Sequence, residues 1–358
     1  MGKTFMLMAG GTGGHIFPAL AVAQSLQARG HSVVWLGSAD SMEERIVPQH
    51  GIPLETLAIK GVRGNGLKRK LLLPFTLFQT IRAARAAIRK HNVSCVIGFG
   101  GFVTFPGGAA AKLCGVPVVI HEQNAVAGLS NRLLAKIATR VLYAFPAAFD
   151  APDGLVGNPV RADIAALPAP EERFAGREGR LKILVVGGSL GAQVLNETVP
   201  AALAALAALP PETRPQVRHQ SGRGKLEALQ TAYRNAGVEA DCCEFIDDMV
   251  SAYREADLVI CRAGALTVAE LTAVGLGALL VPYPFAVDDH QTANARFMTE
   301  AGAAELLPQP ELTAGRLAQI LDGLTREQCL QRAQNARRLA KPDSAEQVAA
   351  AAVAAAGA

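Results

Sequence analysis

The chain has 358 residues, enough for two domains at about 150 residues each. Half of the residues are hydrophobic, 18% are charged and 5% aromatic, a core-forming composition that excludes disordered, collagenous and coiled-coil chains. The net charge of +4 conceals a segregation: Thr56 to His121 holds ten basic residues and no acidic one, which leaves 25 basic against 31 acidic elsewhere, so a +10 segment that suits an anionic partner stands beside a −6 remainder.

From the N-terminus, Phe5–Ala9 is an apolar run closed by glycines, too brief for a signal-peptide core and suited to a first strand. Further strands are expected at Ser32–Leu36, Val93–Gly98, Val116–Ile120 and Arg140–Ala144. Val93–Ala111 is an uncharged stretch of 19 residues, the length of a membrane span, but its five glycines and Pro106 predict a buried strand and loop, so the chain is not expected to cross a bilayer. A second series of strands is expected at Leu181–Val186, Val217–Gln220, Cys243–Phe245, Leu258–Cys261 and Ala278–Pro282. Strands alternating with longer helical patterns predict an α/β chain with parallel sheets. The echo between Met6–His15 and Ile183–Ala192, each reading strand, glycine turn, helix, predicts two Rossmann-like domains in tandem. Gly157–Arg161 and Ala165–Pro170 read as the linker, giving domains at 1–161 and 162–341, with a terminal helix over about 342–358 that packs on the first domain. The six cysteines lack metal or redox spacing and are expected as reduced, mostly buried thiols of a cytosolic protein.

Glycines directly after a strand let backbone N–H groups and a helix N-terminus face an anion. Gly10-Gly11-Thr12-Gly13-Gly14-His15 has neither dinucleotide nor P-loop spacing, so it suits a phosphate or sugar, or else only tight strand-to-helix packing. His15 ends this loop at the carboxyl edge of the sheet, either as a structural group or as a general base. Gly187-Gly188-Ser189-Leu190-Gly191 repeats the same logic in the second half. In Cys261–Glu270, Thr267 and Glu270 have capping-box spacing; alternatively the helix start binds a diphosphate and Glu270 accepts from a ribose diol. Asp288–Asn294 is a polar cluster suited to sugar hydroxyls or an ordinary solvated loop, and His121-Glu122-Gln123-Asn124 places four polar side chains at another carboxyl edge. No His, Asp, Glu or Cys pattern calls for a catalytic metal or other cofactor.

A helix over about Pro74–Lys90 buries Leu77, Ile81, Ala84 and Ile88 and gathers Phe75, Phe78, Arg82, Arg85 and Arg89 on the neighbouring face. Two phenylalanines among arginines suit insertion between anionic lipid headgroups better than a solvated face or nucleic acid.

Taken together, GGTGGH, IGFGGFVTFPGG (Ile97–Gly108), HEQNAVAG (His121–Gly128), GNPVR, GGSLGA, EFIDDM (Glu244–Met249) and CRAGALTVAEL resemble, in order and over essentially the whole chain, the MurG family of N-acetylglucosaminyltransferases. The resemblance implies a GT-B fold, two Rossmann-like domains with parallel sheets facing an interdomain cleft. It implies transfer of GlcNAc from UDP-GlcNAc to the C4 hydroxyl of MurNAc in undecaprenyl-pyrophosphoryl-MurNAc-pentapeptide, lipid I to lipid II, at the cytoplasmic face of the bacterial inner membrane. By matching motif it makes Thr12, Gly13, Gly14, Asn124, Arg161, Ser189, Ile246, Ala265, Leu266, Thr267, Val268, Ala269, Glu270 and Gln291 donor-site positions. In that assignment Ile246 meets uracil through its backbone, Glu270 holds the ribose and Gln291 reads GlcNAc hydroxyls. An α-linked donor and a β-1,4 product imply inversion with a general base, for which His15 is the candidate and Glu122 the fallback or orienting partner. Helix N-terminal N–H groups, in place of a metal, would stabilise the leaving UDP. The implied partners are donor, lipid I and an anionic membrane surface, with no nucleic acid, and the resemblance leaves room for cell-wall synthesis and division proteins. A UDP-GlcNAc epimerase of the same architecture and a non-catalytic membrane-associated nucleotide-sugar-binding adaptor are the competing readings.

Overall fold

The computed structural model describes residues 2–58, 67–188, 190–210 and 213–357, and only the backbone of residues 67–73, 152 and 208. Strands β1 (Thr4–Ala9), β2 (Ser32–Ser38), β3 (Leu54–Leu57), β4 (Cys95–Gly100), β5 (Val118–Glu122) and β6 (Arg140–Tyr143) form a six-stranded sheet in the order β3-β2-β1-β4-β5-β6, with every pair parallel. Strands β7 (Lys182–Val186), β8 (Gln216–Gln220), β9 (Asp241–Cys243), β10 (Leu258–Cys261), β11 (Ala278–Leu280) and β12 (Ala304–Leu306) repeat that topology in the order β12-β11-β10-β7-β8-β9. The continuous apolar runs explain both sheets, because a parallel strand covered by helices on both faces has no polar side. In β1, Phe5, Leu7 and Ala9 join one core cluster and Met6 and Met8 join the opposite one.

The chain divides into two compact units, residues 1–161 with 341–358 and residues 162–340. In each sheet the strand order reverses beside the strand that precedes a glycine loop, β1 in the first unit and β7 in the second. Open α/β sheets bind ligands outside the carboxyl ends of the strands at this switch point. The terminal helix Ser344–Ala355 belongs to the first unit, where Val348, Ala349 and Ala352 pack with Ile16 and Ala19 of the Gly13–Ala28 helix. Ser25 Oγ donates to Glu346 Oε1 at 3.0 Å, and Arg29 pairs with the same carboxylate.

Three sequence expectations are corrected. The edge strands β3 and β12 were not anticipated, since each is short and mostly half-buried, leaving no sustained apolar run. β5 starts at Val118 instead of Val116, because Pro117 has no N–H for the ladder, while Val116 N–H closes the preceding helix onto Ala111 O at 2.9 Å. The basic helix runs from Leu67 to Lys90, with Pro74 inside it. Among the described residues no helix is long and apolar enough to cross a membrane.

Candidate active site

In the first unit the turn after β1 is built around a buried carboxylate. Glu43 is fully buried and accepts from Ser38 N–H at 2.9 Å and Gly11 N–H at 3.3 Å. A Cβ at Gly10 would lie 2.5 Å from its Oε1 and one at Gly37 2.7 Å from its Cγ, so the carboxylate occupies space that only glycine leaves. Gly11 has a φ of +92°, a left-handed conformation that side chains disfavour. Thr12 is extended, and its carbonyl takes the first helical bonds, from His15 and Ile16. The N–H groups of the first turn, Gly13 and Gly14 among them, therefore have no intrahelical partner and can face an anion.

His15 is half-buried, with Nδ1 3.1 Å from Gly10 O. A carbonyl only accepts, so Nδ1 carries a proton, and in the neutral ring Nε2 is the nitrogen with the lone pair. A Cβ at Gly100 would come within 2.9 Å of that Nε2, and one at Gly101 within 2.5 Å of Gly10 O. The turns after β1 and β4 thus approach as only glycines permit. Buried Thr104 ties the strand ends together, its hydroxyl donating to Gly100 O at 2.6 Å with Met8 O 3.2 Å away.

At the end of β5, His121, Glu122 and Gln123 are buried and only Asn124 is half-buried, so the four do not form one exposed polar face. Glu122 Oε1 accepts from Asn124 N and Nδ2, and Oε2 from Gly128 N and Asn131 Nδ2, at 2.9–3.3 Å. Glu122 thus shapes its own loop, and His15 takes its orientation from Gly10 O. His121 Nε2 donates to Gly157 O at 2.8 Å. Arg161 is half-buried at the end of this segment.

In the second unit the turn after β7 is held from β8 and the start of the helix that follows it, with Gln220 Nε2 donating to Gly188 O at 3.0 Å and Lys225 Nζ to Leu190 O at 2.9 Å. Gly188 and Gly191 have φ values of +86° and +69°, and a Cβ at Gly191 would meet Ser221 O at 1.9 Å. Ser189 lies outside the described residues. After β10, the helix Ala265–Val274 begins from Gly264 as N-cap, with no side-chain cap. Thr267 stands inside the helix, so the capping-box alternative for Thr267 and Glu270 does not apply. The N–H groups of this first turn are again open to an anion. Ala265 and Val268 point into the core, whereas Leu266, Thr267, Ala269 and Glu270 are half-buried, and Glu270 Oε2 accepts from Tyr253 OH at 2.9 Å.

Ile246 is buried beside exposed Phe245. Gln291 Oε1 accepts from Tyr283 N at 2.9 Å, which closes the loop that contains the left-handed Asp288 and Asp289. Within that polar cluster Thr292 Oγ1 donates to Asp289, His290 Nδ1 to Val287 O, and buried Asn294 to Ala263 O. Among the described residues no group of three or more His, Cys, Asp or Glu side chains could hold a metal ion. Glu43, Thr104 and Tyr253 escaped the sequence reading, and only the acidic pair Glu43-Glu44 just after β2 carried any local signal, that of a helix start.

Burial pushes the His121 imidazole down to about 4, partly opposed by Gly157 O and Glu122, and pushes His219, bonded to Tyr233, down to about 3. Unfolded, both titrate near 6.5. Below that pH the unfolded chain binds more protons than the folded one, so stability is complete above about pH 6.5 and falls towards pH 4. Tm measured from pH 7.5 to 4.5 is expected to drop progressively below pH 6.5, and a flat profile would contradict neutral burial of both rings.

Similarity to known proteins agrees with this geometry. The chain matches the glycosyltransferase family 28 N-terminal domain over residues 5–143 and the family 28 C-terminal domain over residues 182–348. The UDP-N-acetylglucosamine--N-acetylmuramyl-(pentapeptide) pyrophosphoryl-undecaprenol N-acetylglucosamine transferase of Neisseria meningitidis serogroup C (strain 053442) is 76% identical over 353 residues, covering 99% of each chain. The same-named protein of Aromatoleum aromaticum is 58% identical, covering 97% of this chain and 96% of its own. The crystal structure of Acinetobacter baumannii MurG superposes with a TM-score of 0.87 at 43% identity, covering 98% of this chain and 99% of that one. The Listeria monocytogenes UDP-N-acetylglucosamine 2-epimerase structure, at 14% identity and a TM-score of 0.62, shares the fold alone, covering 97% of this chain and 94% of that one. The chain has the GT-B fold and belongs to glycosyltransferase family 28 and, within it, to the MurG family.

Proposed function

We infer that the protein transfers GlcNAc from UDP-GlcNAc to the C4 hydroxyl of MurNAc in undecaprenyl-pyrophosphoryl-MurNAc-pentapeptide, converting lipid I to lipid II in peptidoglycan synthesis. The observation that carries this is the 76% identity maintained across 99% of both chains. Incubation with UDP-GlcNAc and a lipid I analogue tests it: UDP release only when acceptor is present is the expected result. Formation of UDP-ManNAc would mean an epimerase, and no reaction a nucleotide-sugar-binding adaptor.

In the proposed mechanism His15 Nε2 takes the proton of the attacking C4 hydroxyl while its Nδ1–H stays on Gly10 O. The hydroxyl oxygen forms its bond to the anomeric carbon from the face opposite UDP, the bond from that carbon to the diphosphate oxygen breaks, and UDP leaves with inversion. Helix N-termini stabilise the charge that develops on the diphosphate. Thr12, Gly13 and Gly14 form the anion-facing turn of the first unit, which also contributes Asn124 and Arg161. The second unit contributes Ser189, the backbone of Ile246, the Ala265–Glu270 turn, with Glu270 on the ribose, and Gln291 on GlcNAc hydroxyls. Glu122 supports the reaction by shaping the Asn124 loop.

The enzyme is placed peripherally on the cytoplasmic face of the inner membrane through the Leu67–Lys90 helix. On it Ala84 and Ile88 are buried and Leu77 and Ile81 half-buried, while Phe75 and Phe78 are 61% and 66% exposed beside exposed Arg82 and Arg89. Arg85 is half-buried with its Nε enclosed, so it contributes less to this face than its neighbours. Leu113, Leu129 and Leu133 add exposed apolar side chains on the two helices that follow. At about 1 kcal/mol per basic residue near an anionic surface, reversing Arg82 and Arg89 to Glu is expected to weaken binding to anionic liposomes at least about tenfold. Co-sedimentation that is unchanged, or indifferent to anionic lipid, would remove this face from membrane binding.

A further inference from the structure

The buried tyrosine behind the donor helix has no part in the mechanism above, yet it reaches a group that the mechanism uses. Tyr253 is 2% exposed on the Met249–Glu255 helix, and its hydroxyl donates to Glu270 Oε2 at 2.9 Å. Its backbone is held in turn by Arg173, which is buried and donates through Nη1 to Tyr253 O at 3.4 Å. Arg173 Nη2 donates to Val274 O at 3.3 Å and also to Gly275 O, the carbonyls at the carboxyl end of the Ala265–Val274 helix that bears Glu270. One guanidinium therefore fixes the two helices to each other at their far end, where its charge also complements the helix dipole. The near end is linked by the hydroxyl of Tyr253 and the carboxylate of Glu270.

We propose that Tyr253 is a positioning residue for donor recognition: its hydroxyl occupies one oxygen of Glu270 and turns the other towards the ribose diol of the uridine nucleotide. This rests on the assignment of Glu270 to the ribose. A carboxylate on a flexible stem must otherwise lose rotamer freedom each time the donor binds. A buried hydroxyl spends that entropy once, during folding. Removal of the hydroxyl alone should weaken recognition of the diol and leave the chemical step untouched.

Tyr253→Phe keeps the buried ring and deletes the donor. With a lipid I analogue, the variant is expected to raise KM for UDP-GlcNAc about three- to tenfold, the range of one net hydrogen bond, with kcat and acceptor KM within twofold. The decisive comparison uses the donor that lacks the ribose 2′-hydroxyl. The ratio of kcat/KM for the ribose donor to that for the deoxyribose donor is taken on one sample, so it does not depend on the fraction folded. In the parent protein the ratio should be about tenfold or more, in Tyr253→Phe about threefold, and in Glu270→Ala close to one. If Glu270→Ala collapses the ratio and Tyr253→Phe leaves it unchanged, the positioning role is overturned while the ribose assignment stands. If Glu270→Ala leaves the ratio at its parent value, the ribose assignment fails and the proposal falls with it.

Discussion

His15→Ala is expected to lower kcat by about 10²- to 10⁴-fold, the usual contribution of a positioned general base, with KM for UDP-GlcNAc within about threefold of its parent value. The expectation follows from the geometry of one ring. Its Nδ1 proton is committed to Gly10 O at 3.1 Å, so the imidazole keeps one tautomer, and its basic nitrogen lies at the carboxyl end of β4 against Gly100. The nearest carboxylate by sequence motif, Glu122, is committed to its own loop. Four donors already fill its two oxygens, and taking a proton would disrupt the loop that holds Asn124. Single-turnover measurements with saturating UDP-GlcNAc separate chemistry from product release. A variant with near-parental turnover in that experiment would exclude His15 as the base.

What could be read in the sequence was whatever depends on neighbours along the chain. The apolar runs Phe5–Ala9 and Leu258–Cys261 identify central strands because burial on both faces leaves no other solution. Glycines directly after a strand identify the tight turns that follow β1 and β7. The Leu77, Ile81, Ala84, Ile88 stripe identifies the inward face of its helix and, by difference, the exposed phenylalanines. Features that depend on distant partners were not legible. Leu54–Leu57 becomes a strand only because β2 offers an edge, and Thr267 with Glu270 resembles a cap until the helix is seen to begin at Gly264. His121 and Glu122, expected just after the strand at its carboxyl edge, instead end it as buried residues, and their side chains bond to Gly157, Asn124, Gly128 and Asn131.

The same distinction governs Glu43, whose importance comes from bridging two strand ends that are remote in sequence. Its carboxylate is fully buried and satisfies the N–H groups of Ser38 and Gly11. Glu43→Ala strands the buried Ser38 N–H, at about 1–3 kcal/mol, releases the Gly11 N–H to water, and opens a cavity beneath Gly10 and Gly37 that costs a similar amount. The expected loss of folding stability is therefore about 2–6 kcal/mol. The kinetic consequence follows from what Gly10 does next. Its carbonyl orients His15, so a loosened turn lowers the fraction of molecules in which Nε2 faces the acceptor, and kcat should fall about tenfold or more, by the loss of positioning alone. Glu43→Gln separates the two effects, since the amide oxygen can still accept one of the two N–H bonds while its NH₂ meets a second donor. That variant should fold with a modestly lower Tm and show most of the kcat loss. Denaturant unfolding together with steady-state kinetics on both variants provides the check. If Glu43→Gln turns over at the parental rate, the turn does not need its carboxylate to hold His15, and if Glu43→Ala is as stable as the parent, the two N–H groups have found other partners.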